Sequence, residues 1–309
     1  MDGGPQPAGC SVPVDSRFRG NDGKAGITPE VASEIAYAKI NLALHVRRRR
    51  SDGYHDIETI FAFAEHGDVV AAEPGPPRLT LAGPFAPALA GEDPKENLVM
   101  RAADGLCALA GTDMPPTIRL DKRLPVAAGI GGGSADAAAV LRLLCREYDV
   151  AADDPRVMTL AATLGADVPA CVRSVTVRGD GRGDRLESIA ADGLSGTPLL
   201  LVNPRVALPT GPVFAGWDQV DRGPLAPGDP LGAALAGRND LEGPAALLHP
   251  VIGEVVTLLA AQPGAILARM SGSGATCFAL FRSQANRDAA DRAIATRRPG
   301  WWRLASRLR

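Results

Sequence analysis

Four glycines fall within five residues, at Gly129, Gly131, Gly132 and Gly133, in the stretch GIGGGSADAAAVLRLL, and an alanine-rich helical run follows at once. Each of these glycines costs conformational entropy on folding, and a plain turn needs only one or two. Bare backbone N–H groups at a helix start form an anion site, which the positive end of the helix dipole reinforces. The spacing therefore predicts a phosphate cradle at these glycines, with the Ser134 hydroxyl beside it. A dinucleotide fingerprint is excluded, because Ser134 stands where the third glycine belongs and KRLPVAA separates the loop from its strand. No lysine follows the glycines, which excludes a Walker A loop.

Two charged residues have types that assist phosphoryl chemistry. Asp167, in LGADVP, carries a carboxylate able to take a hydroxyl proton, and it also fits as the N-cap of a short helix starting at Val168-Pro169. Lys39, in AKIN, lies on a strand of apolar and small residues, where it either faces outward or is buried with a partner.

These residues need a scaffold. EIAYAKINLALHV reads as a strand, SDGYHD as a turn, and IETIFAFAEHGDVVAAE as two strands turning at His66-Gly67-Asp68. NLVMRAADGLCALAG is helical, with Leu98, Ala102, Leu106 and Leu109 on one face and Gly111 as its stop. A strand at TIRLD leads to the glycine stretch and a helix to about Arg146. DDPRVMTLAATLG is a helix capped by Asp154, with Pro155 first and Gly165 past its end. Beyond it, PLLLV is a buried strand, residues 211–237 are a Pro/Gly-rich connector, and VIGEVVTLLAAQ is a helix. AILARMSGSGATCFALF is two strands around a second glycine loop, and a helix runs from Ser283 to about Thr296. Mixed elements without a regular βαβ repeat predict an α+β protein of two domains, 34–177 and 178–309, after a disordered extension, 1–33.

Composition narrows the partners. A net charge of −2 offers no electrostatic case for nucleic acid. The run Arg47-Arg48-Arg49-Arg50 reads as a solvated hairpin tip, with attraction of a substrate diphosphate as its other use. Five scattered cysteines without a C-x-x-C pair fit a reducing cytoplasm, and four histidines without H-x-x-x-H exclude a helix-borne zinc site. No apolar run approaches the ~18–20 residues of a membrane span.

Three blocks, AKINLALHVRRRRSDGYHDIETIF, DKRLPVAAGIGGGSADAAAVLRLL with TLGADVPACV, and RMSGSGATCFALF, resemble the GHMP small-molecule kinases in order and spacing. AKINL…DGYH and LGADVP are similar to a narrower branch, whose acceptor is a diphosphocytidyl-methylerythritol of the non-mevalonate isoprenoid route. The resemblance covers Ile35 to Arg309. It implies an N-terminal nucleotide domain with a left-handed βαβ crossover and a C-terminal α/β sandwich domain. It also implies ATP and Mg2+ as cofactors, a small-molecule substrate, no nucleic acid or membrane partner, and a monomer or weak homodimer. By the same resemblance Lys39 and Asp167 are catalytic, and the ATP site takes in Pro125, Ala128, Ile130, Asn97 and Lys122 besides the glycines and Ser134, while Asn97 fits equally as the cap of the helix it precedes. Asn41, Tyr54, His55 and Phe214 would hold the acceptor, with cytosine stacked on Tyr54, bonded by His55 and covered by Phe214. Ser271, Gly272, Ser273 and Gly274 would support the phosphate loop. Another GHMP kinase, acting on homoserine, mevalonate or a sugar, is the nearest alternative, and a nucleic-acid-binding protein is more distant. The sequence departs from the family at Ser134-Ala135, where many relatives have two serines, and at Ala127-Ala128, where glycines are common.

Overall fold

The computed structural model describes residues 32–309 apart from Glu92, Pro94, Asp113, Ala191 and Asp192. The expected extension, 1–33, therefore lies outside the described residues except for Ala32 and Ser33, which begin the first strand. β1 (Ala32–Arg49) pairs antiparallel with β2 (His55–Glu73) across the turn at Asp52-Gly53. Residues 38–46 are buried one after another, with Ala38, Ile40 and Leu42 in one core, so β1 is buried on both faces. That explains its near-continuous apolar run.

The expected turn at His66-Gly67-Asp68 does not form, and β2 is one 19-residue strand. Gly67 lies opposite Tyr37, where a Cβ would stand 1.8 Å from the Ala36 carbonyl oxygen. Glycine is required there because β1 passes too close for a side chain, which is the other common use of a glycine within a strand.

The first sheet has the order β3 (Arg78–Ala82), β4 (Thr117–Asp121), β2, β5 (Val177–Gly181), β6 (Arg185–Ser188), with β1 on β2. β3 and β4 are parallel and joined through α1 (Leu98–Ala110), a βαβ unit in an otherwise antiparallel sheet. α1, α2 (Gly132–Glu147), α3 (Pro155–Leu164) and α4 (Val168–Arg173) share a core with β2 and β4, built from Phe61, Phe63, Leu106, Ile118 and Leu141. The β5–β6 hairpin carries this sheet past residue 177, where the expected domain boundary falls.

The second sheet is antiparallel, in the order β10 (Trp302–Arg307), β7 (Pro198–Asn203), β9 (Cys277–Phe281), β8 (Ala265–Met270). α8 (Val251–Ala260) and α9 (Gln284–Arg297) cover it, burying Ile252, Val255 and Ile294 against Leu200, Val202 and Phe281. The two sheets with their helix layers give the expected α+β class.

The stretch read as a connector is ordered by contacts with the β1–β2 hairpin. It holds α5 (Thr210–Ala215) and α6 (Pro230–Ala236), with α7 (Glu242–Leu248) following. The Leu225 N–H donates to Glu58 Oε2 at 2.7 Å, and Arg47 Nη2 donates to Asp221 Oδ2 at 3.0 Å. His45, buried in β1, donates from Nδ1 to the Gly223 carbonyl and accepts at Nε2 from the Arg238 N–H, both at 3.2 Å. Asp240 accepts from the Val46 N–H at 2.8 Å and from Arg238 at 2.6 Å.

Candidate active site

The start of α2 is built from backbone alone. Gly131 is its N-cap, in the left-handed region at φ 62°, and no side chain caps the helix. The first-turn N–H groups are thus left for a ligand. A Cβ on Gly131 would meet Lys39 Cε at 3.0 Å, so the bare loop lets the lysine lie directly against it.

The second glycine loop, between β8 and β9, interlocks with the first. A Cβ on Gly129 would come within 2.5 Å of the Ser271 carbonyl oxygen and 2.6 Å of that of Gly274. Ser271 Oγ donates to the Gly129 carbonyl at 2.9 Å and accepts from the Asn41 N–H at 3.2 Å. The Thr276 N–H reaches the Ala128 carbonyl at 3.1 Å. Buried Asn239 secures this loop by donating to the Met270 and Gly272 carbonyls, both at 2.8 Å.

Lys39 Nζ lies 3.0 Å from Asp167 Oδ2 and donates to Asn41 Oδ1 at 3.1 Å. Asn41 in turn donates to Thr59 Oγ1 at 2.8 Å. The lysine is 5% exposed and faces inward from β1, whereas Asp167 keeps 34% of its side chain open. Asp167 occupies the N-cap position of α4 yet its side chain accepts no backbone hydrogen bond there. The capping alternative is therefore not realised, and the carboxylate meets Lys39 instead. Behind the pair, burial and the Asp167 charge push the Cys171 thiol up to about 12, so it stays protonated.

A cleft of about 670 Å³ joins these parts. Ala128, Gly129, Gly131, Gly132, Gly133 and Ser134 line it with Lys39, Asn41 and Asp167, and so do Gly272 and Ser273. At its other end stand Tyr54, His55 and Phe214, joined by Trp217. The His55 and Phe214 ring centroids are 5.0 Å apart with a 32° tilt, and Trp217 meets His55 edge-on at 5.7 Å and 86°. Tyr54 is 57% exposed, and the Arg182 guanidinium lies over its ring, 5.3 Å from the centroid. Burial, and then the Arg49 charge, lower the His55 pKa and favour the neutral imidazole.

Some expected site residues are not in the cleft wall. Asn97 caps α1 through the Val99 N–H at 3.0 Å. Lys122 is 2% exposed beneath the glycine loop, where its ammonium meets Asp68 and, at 2.7 Å, Asp136 Oδ2. Burial opposes its charge, but Asp136 and Asp68 raise its pKa overall, so the ammonium is held charged beneath the loop. Pro125, Ile130, Ser271 and Gly274 support the loops from behind. Conversely, the sequence reading passed over Trp217 and Asn239. Trp217 is a lone aromatic in a Pro/Gly-rich stretch, and Asn239 is one polar residue between Arg238 and Asp240.

A helix start open to phosphate, with a lysine–carboxylate pair at its side, suits phosphoryl transfer, and the family models agree. Residues 97–174 match the GHMP kinases N terminal domain and residues 228–298 match GHMP kinases C terminal. GHMP kinases are small-molecule kinases that use ATP as the phosphate donor. Within them, a curated 4-diphosphocytidyl-2-C-methyl-D-erythritol kinase of Rhizorhabdus wittichii is 88% identical over 277 residues, spanning 90% of this chain and 94% of that one. The Novosphingobium aromaticivorans enzyme of that name is 53% identical, over 89% and 92% of the two chains. A crystal structure of a 4-(cytidine 5'-diphospho)-2C-methyl-D-erythritol kinase is 34% identical, with a TM-score of 0.73 over 89% of this chain and 98% of that one. The homoserine kinase of Cytophaga hutchinsonii, 15% identical with a TM-score of 0.65 over 93% and 98% of the chains, shares the fold. The chain belongs to the 4-diphosphocytidyl-2-C-methyl-D-erythritol kinase family of the GHMP kinases.

Proposed function

We propose that the chain transfers the γ-phosphoryl group of ATP to the 2-hydroxyl of 4-diphosphocytidyl-2-C-methyl-D-erythritol, a step of non-mevalonate isoprenoid precursor synthesis. The observation that carries this reading is the Lys39–Asp167 pair, 3.0 Å apart, in one cleft with the bare start of α2. Asp167 takes the proton of the acceptor hydroxyl as its oxygen attacks. Lys39 holds that carboxylate in place and offsets the charge that develops beside it. Asn41 keeps the lysine directed along the cleft. The N–H groups of Gly132, Gly133 and Ser134 bind phosphate oxygens, and the Ser271–Gly274 loop keeps their backbone rigid.

ATP supplies the phosphoryl group, and Mg2+ on its phosphates offsets their charge. No group of three or more His, Cys, Asp or Glu is set to hold a metal ion among the described residues. Mg2+ fits here because it keeps most of its waters and is carried largely by substrate phosphates. At the other end, Tyr54, His55 and Phe214 clamp a cytosine, and base–aromatic stacking contributes about 1–3 kcal/mol per base. A cytosine clamp has no base to hold in homoserine, mevalonate or a sugar. We assign ATP binding to 34–177 and the second sheet to 178–309, in a cytoplasmic monomer or weak homodimer that binds neither nucleic acid nor membrane. No helix among the described residues is long and apolar enough to cross a membrane.

The test is Asp167→Asn. Because the carboxylate caps no helix N–H, the variant keeps its fold by circular dichroism and its KM for ATP, while kcat falls by about 10²–10⁴. Near-normal turnover would remove Asp167 from the chemistry.

A further inference from the structure

The four consecutive arginines, Arg47 to Arg50, are separated by the strand pleat into different surroundings. In the β1–β2 register Arg48 lies opposite Asp56 and Arg49 opposite His55, so these two neighbours project to opposite faces of the hairpin. Arg48 binds Asp56, and Arg50 binds Asp52 and Asp56 at 2.9 Å each. Arg47 binds Glu58 at 2.7 Å and Asp221 at 3.0 Å. Arg49 shares the face of His55, lines the cleft beside it, and meets no carboxylate among the described residues. The other cations of the cleft wall are balanced, Lys39 by Asp167 and Arg182 by Asp184 at 2.8 Å.

Among the described residues, one guanidinium without a protein counter-charge therefore lines the cleft together with the rings of Tyr54, His55, Phe214 and Trp217. A planar base fills the rings, and an anion attached to it answers the arginine. The ligand with both features is a nucleotide rather than a nucleoside. We infer that Arg49 binds the diphosphate of the acceptor and makes this end of the cleft select a cytidine diphosphate ester over uncharged cytidine. This rests on the acceptor reading above and names the residue that reads the acceptor's charge. The guanidinium fork suits phosphate oxygens, and a charge-assisted hydrogen bond is about twice as strong as a neutral one. The other three arginines are excluded because their forks are already bound to carboxylates.

The experiment is calorimetric titration of CDP and of cytidine into wild type, Arg49→Gln and Arg49→Lys, with the ATP site filled by a non-hydrolysable ATP analogue. Wild type binds CDP about tenfold or more tighter than cytidine. Arg49→Gln loses most of that ratio and leaves cytidine affinity within about twofold, while Arg49→Lys keeps an intermediate ratio because it retains the charge without the fork. Raising the salt weakens CDP binding to wild type more than to Arg49→Gln. An unchanged CDP-to-cytidine ratio in Arg49→Gln, or equal loss of both ligands, overturns the assignment. Wild type that binds neither ligand contradicts the acceptor reading itself, and the role of Arg49 falls with it.

Discussion

Replacing Gly131 with alanine tests the cradle at the point where the loop backbone and Lys39 meet. The residue sits at φ 62°, and the left-handed conformation costs a residue with a Cβ about 1–2 kcal/mol. The added methyl would lie 3.0 Å from Lys39 Cε and 3.3 Å from Lys39 Cβ. Lys39 Cβ is fixed by β1, so the outer part of the side chain must give way. That moves Nζ from its position 3.0 Å from Asp167. Differential scanning calorimetry should show a Tm lower by about 2–8 °C, from 2–4 °C per kcal/mol for a chain of this order of size. ADP release should show kcat down by about tenfold or more, since small misplacements of reacting groups are costly. Gly133→Ala is the control. Gly133 lies within α2 and its Cβ would meet nothing closer than Leu98 Cδ1 at 3.8 Å. Alanine is the better helix former there by about 0.5–1 kcal/mol, so this variant should melt above wild type. Wild-type Tm and kcat for Gly131→Ala, or equal destabilisation by both substitutions, would refute the described loop.

Two further predictions concern pH. Burial pushes the Asp136 carboxyl up to about 8, against the attraction of Lys122 and with the Asp68 charge adding to the rise. The native state therefore holds a proton that the unfolded chain releases above its ordinary value of 3.8, and stability falls as pH rises between these values. Urea unfolding at about pH 5 and pH 8 should show wild type losing stability relative to Asp136→Asn over that interval. His45 behaves in the opposite sense. Burial first, and then the Arg238 charge, lower its pKa below the ordinary 6.5. Its contribution is complete above pH 6.5 and is lost as pH falls through the native value, because the unfolded chain takes up the proton first. Acid destabilisation below pH 6.5, read by urea midpoints, should be smaller in His45→Asn than in wild type.

The parts legible in the sequence are those governed by local rules. Asn97 and Gly111 bound α1, and Asp154 with Pro155 starts α3, because caps and helix starts depend on a few adjacent residues. The glycine density before α2 is likewise local, although the reason for Gly129 is the backbone of Ser271 and Gly274, far along the chain. Long-range contacts account for the rest. Gly67 reads as a turn until β1 is placed against it. Lys122 reads as a ligand-binding cation until Asp68 and Asp136 are placed around it. Asp167 reads as a cap until Lys39 arrives from another element. Trp217 enters the site only because the connector is tied to β1 and β2 by His45, Arg47 and Glu58.

The most direct test supplies ATP and Mg2+ and compares acceptors by ADP release. With 4-diphosphocytidyl-2-C-methyl-D-erythritol, kcat/KM should exceed that with mevalonate or homoserine by about a hundredfold or more, because only that acceptor engages the ring-lined end of the cleft. Turnover no faster with the cytidylated acceptor than with mevalonate or homoserine would contradict the account.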